Sequence, residues 1–445
     1  MHKRSGSIFG CLALFSALLL APQAARAVPS FTVQTGQPCS SCHVGAFGPQ
    51  LTAYGRMFKL TGYTMNDGGK HFPPLAVMTL ASFTNTDKSQ QPEAAQGFGP
   101  NNNFAADQTS LFYGGGIAPN LGAFIQTTYD GINDVFHWDN ADVRYARSGS
   151  LFGSGIVYGV TANNNPTVQD LWNSTPAWGF PYSASALAPS PDASSLLDGG
   201  LSQSVGGLGL YAMWNDLLYV EFTGYSELSR DTRQSLGVSG VGTSDTFTGA
   251  IPYWRVALQH DFGNHYVELG TLGMSGNRYP GGVSSAGEDN LTDLAGDLNY
   301  QWTGDPDNLI SAHAIYINQN MDLGADQTLN GTNYSDTLNT FRADVSYSYK
   351  NTWTPTVRYF RTWGSNDAAL WGTANGSPNT EGFTVDLAYV PFGKPDSPLS
   401  WINGRIALEY TAYTEFDGTG TNASDNNTLF LNLWLATDLF GGYSP

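Results

Sequence analysis

The residues with the most specific chemistry are two cysteines and a histidine near the N-terminus. Residues 39–43 read Cys-Ser-Ser-Cys-His, so that Cys39 and Cys42 are separated by two residues and His43 follows at once. This spacing is that of c-type haem attachment, in which two thioethers hold the porphyrin edge and the histidine is the proximal iron ligand. The pattern predicts one covalent haem c at Cys39 and Cys42, with His43 on the iron.

A Cys-x-x-Cys pair has three other uses: a surface disulfide, a thioredoxin-like redox pair and half of a zinc site. A thioredoxin-like pair requires a βαβ context, and a structural zinc site requires a second pair of ligands. The third cysteine, Cys11, lies in a segment that is predicted to be removed, so it supplies no further ligand. The haem interpretation is therefore favoured over the other three.

The sixth position on a haem iron is filled by a methionine, a histidine or a small molecule. Met78 is the first choice for this distal ligand, because it alternates onto the inward face of the first predicted strand. Met65, His71 and Met57 follow it. The ordinary alternative for each is that the methionine packs in the interior or that the histidine is exposed on a loop.

The first residues predict export from the cytoplasm. Residues 2–4 are basic, residues 8–20 form a short apolar run, and residues 25–27 read Ala-Arg-Ala, a small-residue cleavage site. Residues 1–27 are therefore interpreted as a secretory signal peptide rather than a membrane anchor. Export fits the haem motif, because c-type haem is attached outside the bacterial cytoplasm.

Composition points to a membrane β-barrel. The formal net charge is −18, and it becomes −21 once the three basic residues of positions 1–27 are removed. Such a chain is not expected to bind nucleic acid and is expected to attract cations or basic proteins. No apolar run of 18 residues follows the signal peptide, whereas aromatic residues make up 13% and glycines number 52. These features favour an outer-membrane β-barrel, with a large secreted β-protein as the alternative.

Residues 28–74 are predicted to form a monohaem cytochrome c segment. Within it, residues 51–60 have the apolar spacing of an amphipathic helix, and Gly62 is its expected C-cap. So short a segment can hardly bury a haem by itself. We expect it to sit in the barrel lumen as a plug, with Arg56, Lys59 or inward arginines of the wall neutralising the haem propionates.

Residues 75–445 are predicted to form the barrel. Residues 75–84, 142–145 and 341–350 alternate between apolar and polar side chains, as a lipid-facing wall requires. Tight turns alternate with long connections, among them 164–205, which is the pattern of periplasmic turns and outer loops. A barrel of sixteen strands is expected to leave an open lumen. The predicted strands are 75–85, 106–117, 121–131, 137–148, 151–163, 206–214, 217–227, 251–262, 265–276, 291–303, 308–320, 336–349, 353–364, 380–392, 401–416 and 427–440.

Several stretches carry a resemblance to a known family. They are Pro-Ser-Phe at 29–31, Gln-Thr-Gly at 34–36, the haem motif, Gly-Arg-Met-Phe-Lys at 55–59, Gly-Tyr at 62–63, Phe-Gly-Pro-Asn-Asn-Asn at 98–103 and Asn-Asn-Pro-Thr-Val-Gln-Asp at 164–170. The chain resembles the fused monohaem cytochrome–porin family, the outer-membrane c-type cytochromes of the iron-oxidising type. The resemblance covers most of the chain, although only the Cys-x-x-Cys-His element is chemically specific. It implies a haem segment followed by a 16-stranded barrel.

Three functions of different classes follow. The first, implied by the resemblance, is electron transfer across the outer membrane from extracellular Fe(II), or another reductant, to a periplasmic cytochrome or copper protein. Whether this amounts to an iron(II):cytochrome oxidoreductase activity is left open. The second is a porin whose haem segment is a structural or sensory plug, and the third is a haem enzyme with an open iron site. In the porin, a selective path would be lined by inward arginines: Arg144, Arg255, Arg342, Arg358 and Arg405.

Overall fold

The computed structural model describes residues 29–68, 74–91, 93–238, 245–397 and 402–440. Within these residues the main structure is one sheet of 17 antiparallel strands that closes on itself. Sixteen strands form the wall of the barrel, and β1 closes the ring by pairing with both β2 and β17. The remaining strand, β8, has three residues and pairs with one end of β10. The predicted signal peptide and His71 lie outside the described residues.

The strand boundaries are those of an up-and-down barrel in chain order. The strands are β1 Leu75–Thr86, β2 Asn103–Ala118, β3 Leu121–Asp130, β4 Val135–Leu151, β5 Ser154–Asn163, β6 Val205–Trp214, β7 Leu218–Glu227, β8 Thr246–Thr248, β9 Ile251–Asp261, β10 His265–Tyr279, β11 Asp289–Asp305, β12 Asn308–Asp322, β13 Ser335–Tyr349, β14 Trp353–Gly364, β15 Thr380–Tyr389, β16 Ile402–Glu415 and β17 Thr428–Asp438. The predicted fold class and the number of sixteen wall strands are confirmed.

Helices are short and lie outside the wall strands. The α-helices are α1 Pro29–Thr35, α2 Cys39–Cys42, α3 Ala53–Leu60, α4 Arg230–Ser235, α5 Gly324–Asn330 and α6 Ala368–Trp371. Single turns of 3-10 helix occur at Val44–Ala46, Pro176–Trp178, Pro280–Gly282, Ser284–Ala286 and Ala423–Asn426, and a π turn occurs at Leu196–Gly200. No helix in the described part of the chain combines the length and the apolar character that crossing a bilayer demands.

The wall has the polarity of a membrane barrel. On β13, Val345 and Tyr347 are exposed on the outside while Ser346 is buried on the inside. Large apolar side chains are similarly exposed on neighbouring strands, such as Leu210 and Phe222. Because successive side chains of a strand point to opposite faces, this alternation gives an apolar exterior and a polar interior. The chain is therefore an outer-membrane β-barrel with a porin-like fold.

The two ends of the barrel differ in the length of their connections. At one end, here called the turn end, strands are joined by tight turns such as residues 119–120 and 350–352. At the other, the loop end, most connections are long, for example residues 87–102 and 365–379. In outer-membrane barrels the short turns face the periplasm and the long loops face outwards. The turn end is therefore the periplasmic end.

The lumen holds a long connection of the wall, which was not expected there in addition to the predicted N-terminal plug. The connection between β5 and β6, residues 164–204 and here called the inner loop, folds inwards, and Trp172 is fully buried. Towards the loop end, residues of this loop pack against inward apolar side chains of the wall. The core comprises Leu196, Leu197, Leu201, Val205, Tyr225, Ile251, Tyr253, Leu272, Met274, Leu291, Ala295, Ile315, Ile317, Met321, Leu323 and Leu338. A stretch predicted as an outer loop thus forms part of the interior.

Candidate haem site in the barrel lumen

The Cys-x-x-Cys-His motif folds as one helical turn held by the next helix. The His43 backbone N–H donates to the Cys39 carbonyl at 2.8 Å, and the Thr52 N–H donates to the Cys42 carbonyl at 2.9 Å. Helix α3 then crosses the turn at Gly55, where a Cβ atom would lie 2.3 Å from the Cys42 carbonyl oxygen. The residue at this position must therefore be glycine for the helix to reach the motif.

Helix α3 ends at Leu60 as the sequence predicts and begins at Ala53, two residues after the predicted start. Thr52 is its N-cap and accepts a hydrogen bond from the Gly55 N–H at 3.3 Å. At the other end, Gly62 adopts a positive φ of 73° and its N–H donates to the Lys59 carbonyl. This is the left-handed C-terminal cap that glycine adopts without strain.

Helix α1 is packed against β2 through a glycine-rich stretch of the wall. The Gln34 side chain donates to the Tyr63 carbonyl at 2.7 Å and accepts from the Gly116 N–H at 2.8 Å. At Gly115 a Cβ atom would lie 2.4 Å from the Gln34 amide oxygen. Gly114 and Gly115 therefore allow the helix to approach the wall.

The motif itself is fixed near the turn end. The Ser40 N–H donates to the Gly393 carbonyl at 3.0 Å, and the Gly45 N–H donates to the Asn351 side chain at 3.2 Å. From β16, the Asn403 amide donates to Cys39 Sγ at 3.1 Å and to the Ala46 carbonyl at 2.7 Å. The N-terminal segment, residues 29–68, is thus bonded to the barrel wall and lies inside the lumen as a plug.

A cavity of about 430 Å³ lies between this segment, the wall and the inner loop. Cys39, Cys42 and His43 line it together with Met78 of β1. Its lining is mostly apolar and includes nine large aromatic side chains: Phe31, Phe47, Phe58, Tyr63, Phe112, Phe124, Trp178, Tyr182 and Trp434. Its volume and apolar character are those of a site for an organic cofactor.

His43 is in the form that ligates a metal. Burial lowers its pKa to about 4, so that the imidazole is neutral near pH 7. The carbonyls of Gly48 and Gln50 lie near enough to oppose this shift, although no described residue makes a hydrogen bond to the buried Nδ1. The ring is only half-buried, and it lines the cavity.

The four candidates for the distal ligand are placed differently. Met78 lines the cavity, as the inward alternation of β1 predicts. Met57 lines a second, smaller cavity of about 120 Å³ on the other side of α3. Met65 is not among the residues that line the first cavity, and His71 lies outside the described residues. Met78 is therefore the candidate that the fold brings to the same cavity as His43.

The cavity has a polar end that centres on Lys59. This side chain is 4% exposed, and its Nζ donates to the Val168 carbonyl at 2.7 Å and to the Asn173 amide oxygen at 2.8 Å. Asn173 in turn donates to the Pro49 carbonyl at 2.8 Å, so the inner loop is fastened to the N-terminal segment. Trp178 completes this end, with its ring 5.0 Å from Nζ.

Arg56 does not reach the haem cavity. Its guanidinium donates to the Leu51 carbonyl and to Gln301 on β11, both at 2.9 Å, and lies 3.8 Å from the Tyr266 ring centroid. These contacts direct it to the smaller cavity. The expectation that Arg56 could neutralise a propionate is therefore wrong for this residue.

The inward arginines of the wall are engaged with protein partners rather than lining an open path. None of the five is among the residues that line the haem cavity. Arg358 donates to the Phe180 carbonyl. The others form ion pairs: Arg144 with Asp142, Arg255 with Asp297 and Glu268, Arg342 with Asp198, and Arg405 with Asp386.

Sequence reasoning missed the residues that the inner loop contributes. Asn173, Trp178 and Tyr182 all line the cavity, yet they belong to a stretch predicted to lie outside the barrel. A signal was present in the tryptophans at 172 and 178, because large aromatic side chains are rarely left in solvent-exposed loops. Trp434 of β17 also lines the cavity.

The residue set fits a covalent haem c. Two thiols and a neutral imidazole lie on one turn at the edge of an aromatic cavity, and a thioether lies on its wall. A buried lysine supplies a cationic position at the polar end. Burial raises the pKa of both cysteine thiols to about 12, so in this state they are protonated rather than thiolates.

Comparison with known proteins adds similarities of fold at low identity. No family model matches the chain, and no curated protein matches it. Among solved structures, it is similar to the outer membrane channel DcaP of Acinetobacter baumannii (11% identity, TM-score 0.45, 81% of this chain and 96% of that one). It is also similar to an anion-selective porin from Comamonas acidovorans (12%, TM-score 0.44, 82% and 98%) and to a loop-deletion mutant of the Vibrio cholerae outer membrane protein OmpT (10%, TM-score 0.42, 82% and 97%). Similarities this distant say nothing about what the present chain transports or binds.

Proposed function

We propose that this protein is an outer-membrane c-type cytochrome that carries single electrons between the outside of the cell and the periplasm. The observation that supports it most is that Cys39, Cys42, His43 and Met78 line one cavity inside a closed barrel. A haem bound there supplies a one-electron Fe(III)/Fe(II) couple. The hydrocarbon layer of about 30 Å is an insulator, so a redox centre within the wall shortens the distance that an electron crosses from each side.

Four residues of the cavity have a role in this proposal. The thiols of Cys39 and Cys42 provide the covalent links, and neutral His43 provides the proximal ligand. Met78 provides the distal ligand, and methionine in that position raises the reduction potential. A raised potential suits acceptance of electrons from a weak reductant such as extracellular Fe(II), which the family resemblance also favours.

Aromatic contacts continue from the cavity into the wall. Tyr182 lines the cavity, and its ring centroid lies 5.3 Å from that of Phe180. The Phe180 carbonyl accepts a hydrogen bond from Arg358, whose guanidinium carbon lies 5.3 Å from the Phe360 ring centroid. Packed atoms therefore lead from the cavity to the inward face of β14.

From β14 the contacts reach the loop end. The Phe360 ring lies 5.7 Å from Tyr413 of β16, and Tyr413 lies 4.9 Å from Phe416, just beyond the outer end of that strand. Electron tunnelling decays less steeply through packed protein than across gaps. A continuous series of contacts between the outer mouth and the cavity is consistent with an electron entering from outside and leaving to a periplasmic cytochrome or copper protein.

The donor is tested with purified, haem-loaded protein in its oxidised form. Addition of Fe(II) at the working pH is expected to produce the visible spectrum of the reduced haem. Dithionite serves as the positive control for a reducible haem. If dithionite reduces the protein and Fe(II) leaves the oxidised spectrum unchanged, Fe(II) is not the donor.

The distal ligand is tested with Met78→Leu, and Met57→Leu is the matched control, because Met57 faces the smaller cavity. The native protein and Met57→Leu are expected to be six-coordinate and low-spin by optical and EPR spectroscopy. Met78→Leu is expected to become high-spin and to bind carbon monoxide when reduced. Ready carbon monoxide binding by the native protein would instead support a haem enzyme with an open iron site.

A solute channel is the second candidate, because the porin-like barrel is the architecture of channel proteins. Against it stands the lumen, in which the N-terminal segment and the inner loop are each hydrogen-bonded to the wall and to each other. We expect no large, steady conductance when the protein is inserted in a planar bilayer. Porin-like conductance of the haem-loaded protein would favour the channel over the electron carrier.

A further inference from the structure

Lys59 is a buried basic side chain whose hydrogen-bond partners carry no charge. Its two acceptors are the carbonyl oxygen of Val168 and the amide oxygen of Asn173. Among the described residues, Lys59 forms no ion pair within 4.0 Å. An ammonium group has three N–H donors, so one donor remains beyond these two bonds, and the residue lines the cavity.

The charged groups nearest to Lys59 are already engaged with each other. The Asp142 carboxylate is paired with Arg144 Nε at 2.7 Å and accepts from the Tyr63 hydroxyl at 2.6 Å. Asp170 accepts three backbone N–H bonds of the inner loop and faces Arg255 at 3.5 Å. A buried charge without a direct counter-charge is costly, which indicates that an anionic group from outside the chain completes the site.

We propose that Lys59, held in place by Asn173, is the carboxylate-binding residue of the cavity and that its ligand is a propionate of the porphyrin. The inference rests on the proposed function, because the Cys-x-x-Cys-His turn identifies the porphyrin. The cavity has the matching polarity. Most of its lining is apolar, and Lys59 lies in the lining beside the neutral amide of Asn173.

Asp139 of β4 also lines this cavity, and its carboxylate could in principle pair with Lys59. Asp139 Oδ2 accepts from the Thr128 hydroxyl at 2.9 Å, and Oδ1 accepts from the Gln203 amide at 3.1 Å and from the Asn140 N–H at 2.9 Å. Its oxygens are therefore occupied by neutral donors, and Lys59 remains the cationic residue that faces the cavity.

An apolar cavity with a lysine at one end would also suit a fatty acid, which shares the carboxylate. The test separates the two sources with iron-free porphyrin, whose binding depends neither on iron ligands nor on electron transfer. The full chain carrying Cys39→Ala and Cys42→Ala is refolded from urea into non-ionic detergent with protoporphyrin IX, with its dimethyl ester, or with oleate. Binding is followed by porphyrin fluorescence and, for oleate, by competition.

The protein is expected to bind the free acid more tightly than the dimethyl ester. Lys59→Met should weaken binding of the free acid by roughly 10- to 100-fold, the range of a hydrogen bond to a charged group, and leave the ester unaffected. Lys59→Arg should keep the preference. Arg56→Met is the matched control, since Arg56 is buried on the same helix and faces the other cavity.

Three results would overturn the proposal. If the chain that retains Lys59 binds protoporphyrin IX and its dimethyl ester equally tightly, the cavity has no carboxylate-binding subsite. Equal weakening of both ligands by Lys59→Met would give the lysine a structural role only. Oleate binding that requires Lys59, with no porphyrin binding, would assign the cavity to a fatty acid. The porphyrin-binding experiments use no iron. Their outcome is therefore independent of whether Fe(II) reduces the haem-loaded protein.

Discussion

The burial of Lys59 makes docking of the N-terminal segment depend on pH when no anionic ligand is present. Burial, with a smaller contribution from Arg144, lowers the pKa of Lys59 from 10.5 to about 7, while Asp142 and Asp170 oppose the shift. At about 1.36 kcal/mol per pKa unit, docking a protonated Lys59 costs about 5 kcal/mol below pH 7. Between pH 7 and 10.5 the lysine is protonated when the segment is released and neutral when it is docked. Docking therefore strengthens as the pH rises, and the cost falls to about 2 kcal/mol at pH 9.

The assay is hydrogen exchange of the α3 amides in the chain carrying Cys39→Ala and Cys42→Ala, corrected for the intrinsic exchange rate at each pH. Protection is expected to increase by roughly 100-fold between pH 6 and pH 9. In Lys59→Met the increase should disappear, and protection at pH 6 should be higher than with the lysine. A flat profile with the lysine present, or the same slope in Lys59→Met, would refute the reasoning.

Two further predictions concern how the segment is held. Gly122→Ala would place a Cβ atom 2.2 Å from the Gly62 carbonyl oxygen, so we expect loss of docking and a lower ratio of haem-stained to total barrel. Gly224→Ala, which meets no atom within 4 Å, is the control and should leave the ratio unchanged. Arg144→Met leaves the buried Asp142 without its cation and is expected to cost about 3–5 kcal/mol of unfolding free energy in urea. Adding Asp142→Asn should recover much of that loss, and no recovery would mean that the ion pair is not the cause.

The strands were predictable because their signal is local. Hydrophobicity with a period of two and turns of Gly, Asn and Pro placed every wall strand within three residues of its observed ends. The largest displacement of a turn is between β4 and β5, where Gly149 and Ser150 continue the strand. Phe152 and Gly153 make the turn instead, both with positive φ. Gly149 and Ser150 are residue types common in turns, so the sequence pattern placed the turn at them, a few residues before its actual position.

The inward position of the inner loop was not predictable, because the residues that bury it belong to wall strands distant in sequence. Asp170 and Gln169 are ordinary loop residues in sequence, yet they meet Arg255 and Glu221 inside the barrel. Which of Arg56 and Lys59 faces the cavity likewise depended on the rotation of α3 about its axis, and that rotation is set by contacts with distant residues such as Gln301 and Asn173. That Met78 faces the lumen could be predicted from sequence, since alternation along β1 fixes which side chains point inwards.

Enclosure of the Cys39 thiol has a consequence for the order in which the protein is made. Cys39 is 2% exposed and is covered by Asn403 of β16 and by Val390. The thiolate is the reactive form of cysteine, and burial moves the pKa of this thiol to about 12, so the folded barrel both hides and deactivates it. Any covalent modification of Cys39 therefore has to be finished while the last strands are still unpaired. Modification of the N-terminal segment and insertion of the barrel are then successive steps on one exported chain. A chain whose barrel closes first can no longer be modified at Cys39.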